Sequence, residues 1–211
     1  MNKDEISGYR WGSAELSDIH DDLIAVVLRE MKRLRLTLMG KARVFELGCG
    51  NGSVANVLTK HGWDVTGVDP STEGIARALE SYPTLKLFSG SAYDNLYEAY
   101  GAFPVVTSFE VVEHVYFPRV YAATLFSLSE SGGTVILSTP YHGYWKNLVL
   151  ALTGKMDAHF TALWDYGHIK FWSMNTLTQL LLEAGFENIR FIRVGRIPVL
   201  AKSMIAIATK K

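Results

Sequence analysis

A single cysteine, Cys49, stands in the whole chain. No intrachain disulfide can form from it, which suits a reducing compartment. Charge of one sign is also missing: 21 acidic and 21 basic side chains cancel. A nucleic-acid binder ordinarily carries a clear basic excess, so no DNA or RNA partner is expected. Lys32, Arg33 and Arg35 lie close together, but their plain reading is the solvated face of a helix. The apolar run Leu148–Leu152 falls far short of the roughly 20 residues a bilayer span needs. The opening MNKDEISGYRWG holds no apolar core of signal-peptide length. Repeats and low-complexity stretches are absent too. These absences lead to the expectation of a cytoplasmic protein with no transmembrane segment.

What is present is a globular balance, 48% hydrophobic and 20% charged, in a length that suits one domain. From Ala14 to Leu38 the apolar positions Ile19, Leu23, Val26, Val27, Met31 and Leu34 recur with the helical period. One long amphipathic helix or two shorter ones is expected there, ended by Gly40. Strand and helix then alternate. Strands are expected at Arg43–Leu47, Trp63–Val68, Leu85–Phe88, Val105–Phe109 and Thr134–Ser138. Helices are expected at Ser53–His61, Ser71–Ser81 and Arg119–Ser129, the last stopped by Gly132–Gly133. Tyr141 to Phe171 breaks the alternation with aromatics, His and Gly, and is too long for an ordinary connection. A helix at Met174–Ala184 and two strands, Phe186–Arg193 and Ser203–Thr209, close the chain as a hairpin. The expected class is α/β: a Rossmann-like, doubly wound, mostly parallel sheet. It adds an antiparallel C-terminal hairpin, an N-terminal helical segment and an inserted cap.

The strongest local signal is VFELGCGNG, Val44–Gly52. A strand runs into glycines at 48, 50 and 52, and a helix follows with free N–H groups at its amino end. A dinucleotide site wants G-x-G-x-x-G, but Ser53 stands where the third glycine would fall. Glu46 precedes the first glycine instead. Asp69, in VTGVDPS, sits at the tip of the next strand, where a carboxylate can accept both hydroxyls of a ribose.

E-x-G-x-G-x-G followed by the strand-end Asp resembles the class I S-adenosylmethionine-dependent methyltransferases. The resemblance implies S-adenosylmethionine as cofactor. It implies that Glu46, with the Gly48 and Gly50 backbone, holds the methionine end, beside Asn51 and Gly52. Asp69 and Pro70 then lie at the ribose. Ser91, Ala92 and Tyr93 lie at the adenine, where Ser91 replaces the family's usual Asp and Asp94 follows three residues on. Phe109 and Glu110 border the methionine portion. Pro104 stands where the family usually shows an Asp, a position tolerable at a strand's first residue.

Glu110, Glu113 and His114 would share one face if a helix started there. That E-x-x-E-H, with STP at Ser138–Pro140, is similar to the ubiquinone-biosynthesis O-methyltransferases, in some of which the triplet accompanies a divalent metal. No metal is committed for this chain. His114, Glu113 and His142 are the candidate catalytic residues, as base or substrate contact. Residues 1–40 are expected as a helical cap, to which Tyr9 and Trp11 contribute. Residues 41–140 form the cofactor core, 141–171 a substrate cap that moves over the site, and 172–211 the closing helix and strands. The resemblance implies methyl transfer to a small or medium-sized metabolite, and the aromatic insertion points to an aromatic or lipid-like acceptor. An inert cofactor-binding regulator or scaffold, and a nucleotide-dependent oxidoreductase, are the alternatives. Oligomeric state is left open.

Overall fold

The computed structural model describes residues 18–38, 40 and 42–211. Tyr9, Trp11 and the start of the N-terminal cap lie outside the described residues.

The described chain builds α1 (Asp18–Thr37), β1 (Arg43–Leu47), α2 (Ser53–Lys60), β2 (Asp64–Asp69), α3 (Thr72–Ser81), β3 (Lys86–Ser89) and α4 (Leu96–Tyr100). It continues with β4 (Phe103–Phe109), α5 (Pro118–Leu128), β5 (Ser129–Pro140), α6 (Tyr144–Leu152), α7 (Met156–Phe160) and α8 (Met174–Ala184). β6 (Phe186–Val194), a 3-10 turn (Pro198–Leu200) and β7 (Ser203–Lys210) finish it. The seven strands lie in the order β3-β2-β1-β4-β5-β7-β6. β7 runs antiparallel to β5, and β6 antiparallel to β7. The expected mostly parallel sheet with an antiparallel terminal hairpin is what forms.

The strands are buried on both faces, so they read as apolar runs and neighbouring residues serve opposite cores. Val44, Val105 and Ile136 join the layer under α1, α2 and α3, with Leu23, Val27, Met31 and Leu58. Phe45, Val106, Val135 and Leu137 join the layer under α5 and α8, with Tyr121, Leu125, Leu177 and Leu181. Glu30 of α1 bridges between elements from a buried position: it is 1% exposed and meets Arg33 at 2.9 Å and also Arg190 of β6. Lys32, Arg33 and Arg35 face solvent, as expected, although Arg35 also donates to the His61 carbonyl at 2.6 Å.

Most boundaries lie within a residue or two of the sequence reading, and the larger differences fall around α5, β4 and β5. α5 ends at Leu128 rather than at the glycine pair, because Ser129 turns extended and its hydroxyl donates to the Leu125 carbonyl at 2.8 Å. Gly132–Gly133 lie inside β5, whose register against β4 shifts between Phe103 and Val105. Pro104 is therefore the second residue of β4, at that irregularity, where a missing N–H costs no ladder bond. α4 was not foreseen; five residues are too few to show a period.

Strand order reverses between β1 and β4, whose crossovers leave in opposite directions, and a crevice opens above their carboxyl ends. The glycine loop after β1 lines it. Gly48 has φ +84°, and a Cβ there would stand 2.4 Å from Val111 Cγ2 on the turn after β4. Gly48→Ala is expected to cost about 1–3 kcal/mol through strain and overpacking. Chemical denaturation measures it; a loss under a few tenths would show that the two turns do not pack so closely.

Candidate functional site

The loop between β1 and α2 is held by its own backbone. Gly48 and Cys49 N–H both donate to the Val68 carbonyl of β2, at 2.8 and 3.0 Å. Asn51 is buried, and its side-chain oxygen accepts from Ser53 N–H at 3.2 Å, at the start of α2. Gly52 has φ +73°, and a Cβ there would press on Leu87 and Ala78. Packing and backbone conformation thus require Gly48 and Gly52, before any ligand is considered.

Two acids close the ends of β1 and β2. The Asp69 carboxylate accepts Gly50 N–H at 2.9 Å on one oxygen and Ser71 N–H at 2.8 Å on the other. Burial raises its pKa, and those two bonds oppose the rise. Glu46 is 2% exposed, and its Oε2 has no hydrogen-bond partner. Burial first, then the Asp69 charge, pushes its pKa up to about 8. A buried, underpartnered carboxyl at the mouth of a crevice suits a cationic ligand group. Pro70, half-buried, follows Asp69 directly.

The next loop is self-closed. Ser91 N–H donates to Asp94 Oδ2 at 2.9 Å, and Ser91 Oγ accepts Tyr93 N–H at 3.2 Å. The Ala92 carbonyl accepts from Thr124 at 2.7 Å. The Tyr93 hydroxyl accepts Tyr116 and Phe117 N–H at 2.8 and 3.1 Å, which fixes the ring in place beside the turn after β4.

After β4 the chain turns instead of starting a helix, which corrects the shared helical face expected for Glu110, Glu113 and His114. Glu110 takes φ +53°, and residues 112–114 form a turn. Glu110 is held in that strained conformation by Ser138, whose hydroxyl donates to Glu110 Oε1 at 2.8 Å and accepts Glu110 N–H at 3.1 Å. The turn still brings the two carboxyls together: burial and the Glu110 charge raise the Glu113 pKa well above the ordinary range. Neither Glu113 oxygen meets hydrogen-bond geometry, although Thr139 and Glu110 lie near enough to act on its proton. Phe109 is buried at the strand end.

The insertion hangs on this turn. Ile169 and Lys170 N–H donate to the Glu113 carbonyl at 2.9 and 3.0 Å, and Trp172 Nε1–H to the Val112 carbonyl at 3.0 Å. His114 Nδ1 lies 3.1 Å from the Tyr166 carbonyl and 3.2 Å from that of Gly167. Two acceptors require Nδ1 to carry the hydrogen, which leaves Nε2 with its lone pair. Burial lowers the His114 pKa, so the ring is neutral. Among the described residues, Glu113, His114 and His168 offer ligand atoms within 4.8 Å of one another. His168, not Glu110, completes that group.

His142 sits apart from His114. It is buried, 5.3 Å from the His159 ring, 5.7 Å from Phe160 and 5.1 Å from Phe171. Burial and the nearby cations push its pKa down to about 4. Lys146 of α6 escaped the sequence reading. It is buried and donates to the Tyr141 carbonyl at 2.8 Å. Its signal was visible, since it is the one charged residue in YWKNLVLAL.

Glu46 has a consequence for stability. An acid raised in the fold binds its proton more tightly folded than unfolded. Folding is relatively favoured below about pH 4.5, and that advantage is lost as pH rises through about 8. Glu46→Gln removes this loss, worth up to a few kcal/mol at about 1.4 kcal/mol per tenfold change in ionisation. Thermal unfolding should show the variant gaining on wild type between pH 5 and pH 8; parallel curves would mean that Glu46 ionises freely.

A family model described as a methyltransferase domain matches residues 19–190. The ubiquinone biosynthesis O-methyltransferase of Psychrobacter arcticus is 31% identical over 166 residues, 74% of this chain and 63% of that protein. The one from Aromatoleum aromaticum is 28% identical over 183 residues, 82% of this chain and 78% of that protein. The chain thus spans just under two thirds of the first relative and somewhat more of the second. Among solved structures, the methyltransferase domain of a bacterial CtHen1 superposes with TM-score 0.66 at 21% identity, covering 91% of this chain and all of that one. Magnesium protoporphyrin IX methyltransferase from Synechocystis, with bound S-adenosylhomocysteine, gives 0.61 at 18% identity, covering 98% and 91%. A match along most of its length, on a fold shared with solved enzymes of this kind, places the chain in the S-adenosylmethionine-dependent methyltransferase family.

Proposed function

We propose that the chain methylates a hydroxyl of a small aromatic or lipid-like molecule, with His114 as the base. The observation that carries the reading is the His114 tautomer: Nδ1–H is spent on the cap carbonyls, and the neutral ring keeps its Nε2 lone pair. The oxygen acceptor is supported by the two relatives named as O-methyltransferases.

When bound, S-adenosylmethionine supplies a methyl group already activated on a sulfonium. The chain's work is therefore binding, orientation and proton handling. Glu46 has an unpartnered buried oxygen for the methionine ammonium. Each Asp69 oxygen accepts one backbone N–H, and a carboxylate oxygen has capacity for a second bond, here from a ribose hydroxyl. Gly48, Gly50, Asn51, Gly52 and Pro70 shape that floor, Ser91, Ala92 and the Tyr93 ring border the base, and Phe109 and Glu110 close the methionine side. His114 Nε2 takes the proton of the acceptor hydroxyl as its oxygen attacks. Glu113, kept neutral by burial, props the turn that presents His114. With a pKa near 4, His142 is too weak a base at neutral pH and serves as a substrate contact.

His114→Ala is expected to lower kcat by about 10²–10⁴-fold while S-adenosylhomocysteine affinity stays unchanged. The wild-type rate should hold below the ordinary histidine value of 6.5, because burial keeps the ring unprotonated there. An unchanged kcat would remove His114 from the reaction. A second reading is favoured by the Glu113, His114 and His168 group, which could hold a divalent cation. A cation would occupy the lone pair that proton transfer needs, so turnover is expected to survive chelation. Loss with EDTA and recovery with magnesium would replace the base by the metal.

The cap is proposed to move. Tyr144, Trp145, Leu152 and Leu163 are exposed, whereas the segment 169–172 is anchored on the β4 turn. A closed site keeps water from the donor, but products must leave. Hydrogen exchange in Tyr141–Tyr166 should be fast in the free protein and slowed by S-adenosylhomocysteine or acceptor. Uniformly slow exchange in both states would make the segment a rigid part of the core.

A further inference from the structure

The floor of the cap carries a buried ammonium with a guanidinium near it, and the Glu110 carboxyl acts on the ammonium. Lys146 is 7% exposed, and its ammonium spends donors on two backbone carbonyls, Tyr141 at 2.8 Å and Lys202 at 3.3 Å. A third N–H is unspent. The Arg196 charge bears on Lys146 and on His159, and Lys146 bears on both His142 and His159. Arg196 is exposed, holds φ +54°, and sits in the β6–β7 connection that meets α6 through the 3-10 turn. The carboxylate acting on Lys146 from outside its helix is Glu110, already engaged with Ser138. Beside them His142 Nδ1 and Asn147 Oδ1 are buried short of hydrogen-bond geometry, although Asn147 lies near enough to act on the His142 proton. The walls are apolar: Phe160 lies nearly parallel to the His142 ring, and Phe171 stands edge-on to both at 4.7 and 5.1 Å.

A buried ammonium with a spare hydrogen, a neighbouring guanidinium and no free acid is a poor arrangement for an uncharged ligand. Desolvation is already spent, and Glu110, shared with Ser138, returns only part of it. An anionic oxygen from outside would complete the set, since charge-assisted hydrogen bonds to ammonium and guanidinium are the strong ones. The aromatic walls fit a flat ring attached to that anion.

We infer that the acceptor carries an acidic group, held by Lys146 and Arg196, while its ring lies against the Phe160 and Phe171 pair. Resting on the methyl-transfer reading above, this names a class of substrate for it: a hydroxylated aromatic acid, with carboxylate or phosphate as the acid. Lys146 and Arg196 are then the residues that set specificity. They bind the end of the acceptor remote from the oxygen that His114 deprotonates.

The test separates binding from turnover. Calorimetry on the complex with S-adenosylhomocysteine compares catechol, a catechol bearing a ring carboxylate, and a catechol bearing a phosphate ester on a side chain. One or both acidic probes should bind at least about tenfold tighter than catechol. The tighter of the two identifies the acid. Arg196→Gln, an exposed change with little bearing on folding, should erase most of the difference, and Lys146→Met the rest. Circular dichroism and S-adenosylhomocysteine affinity check that both variants are folded. Equal affinity for all three probes, or a preference for acid that both variants keep, overturns the inference. Methyl transfer to the bound probe is scored separately: a preferred acidic probe that is never methylated counts against the methyl-transfer reading and leaves the anion site standing.

Discussion

Two carboxyls at the ends of adjacent parallel strands set the terms for the rest of this structure. Asp69 is held down by two backbone N–H groups, one from the glycine loop and one from the start of the α3 turn. Through it the loop after β1 is tied to the tip of β2. Glu46 gets no such relief for one of its oxygens, and its proton is retained up to about pH 8. Burial of that kind is a cost to the free fold that a cation in the crevice can repay. The glycines follow from the same constraint. Strand ends packed so closely leave room only for a loop with glycine at the positive-φ positions, as the contact between a Cβ at Gly48 and Val111 shows.

Another buried acid organises the turn after β4. Glu113 is neutral, and its backbone carbonyl, rather than its carboxyl, anchors the insertion at residues 169 and 170. The insertion in turn supplies the carbonyls that orient His114. Cap position and the His114 tautomer are therefore linked by hydrogen bonds a few residues apart. A cap that carried Tyr166 and Gly167 away from His114 would leave Nδ1 unpaired, and the ring tautomer would no longer be fixed. The strained Glu110 backbone is maintained by Ser138 on the neighbouring strand, so the turn depends on the β4–β5 register as well.

Much of this was legible in the residues. Alternating apolar runs and capped helices located most elements within a few residues. Ser71 and Ser173 cap α3 and α8 as their side chains suggest, with a full capping box at Ser173–Thr176. VFELGCGNG and the strand-end Asp69 carried the family, because backbone geometry and ligand chemistry both restrict those positions to few residue types. α4 and the early start of β5 were not legible, since one is too short for a period and the other continues through glycines that ordinarily end elements.

Local chemistry and the spacing of apolar side chains act within a few residues of chain, and they determined the α/β alternation, the glycine loop and the acids beside it. Contacts between segments far apart in the chain were decided only by tertiary structure. Helical spacing placed Glu110, Glu113 and His114 on one face, but the strand end turns because Ser138 and the insertion compete for its hydrogen bonds. His168 joins His114, and Lys146 reaches the loop before β7, through pairings that no local period encodes. The protonation of Glu46, Glu113 and His114 belongs to the same class. It depends on how much water the packed sheet and cap exclude, and that is a property of the assembled fold.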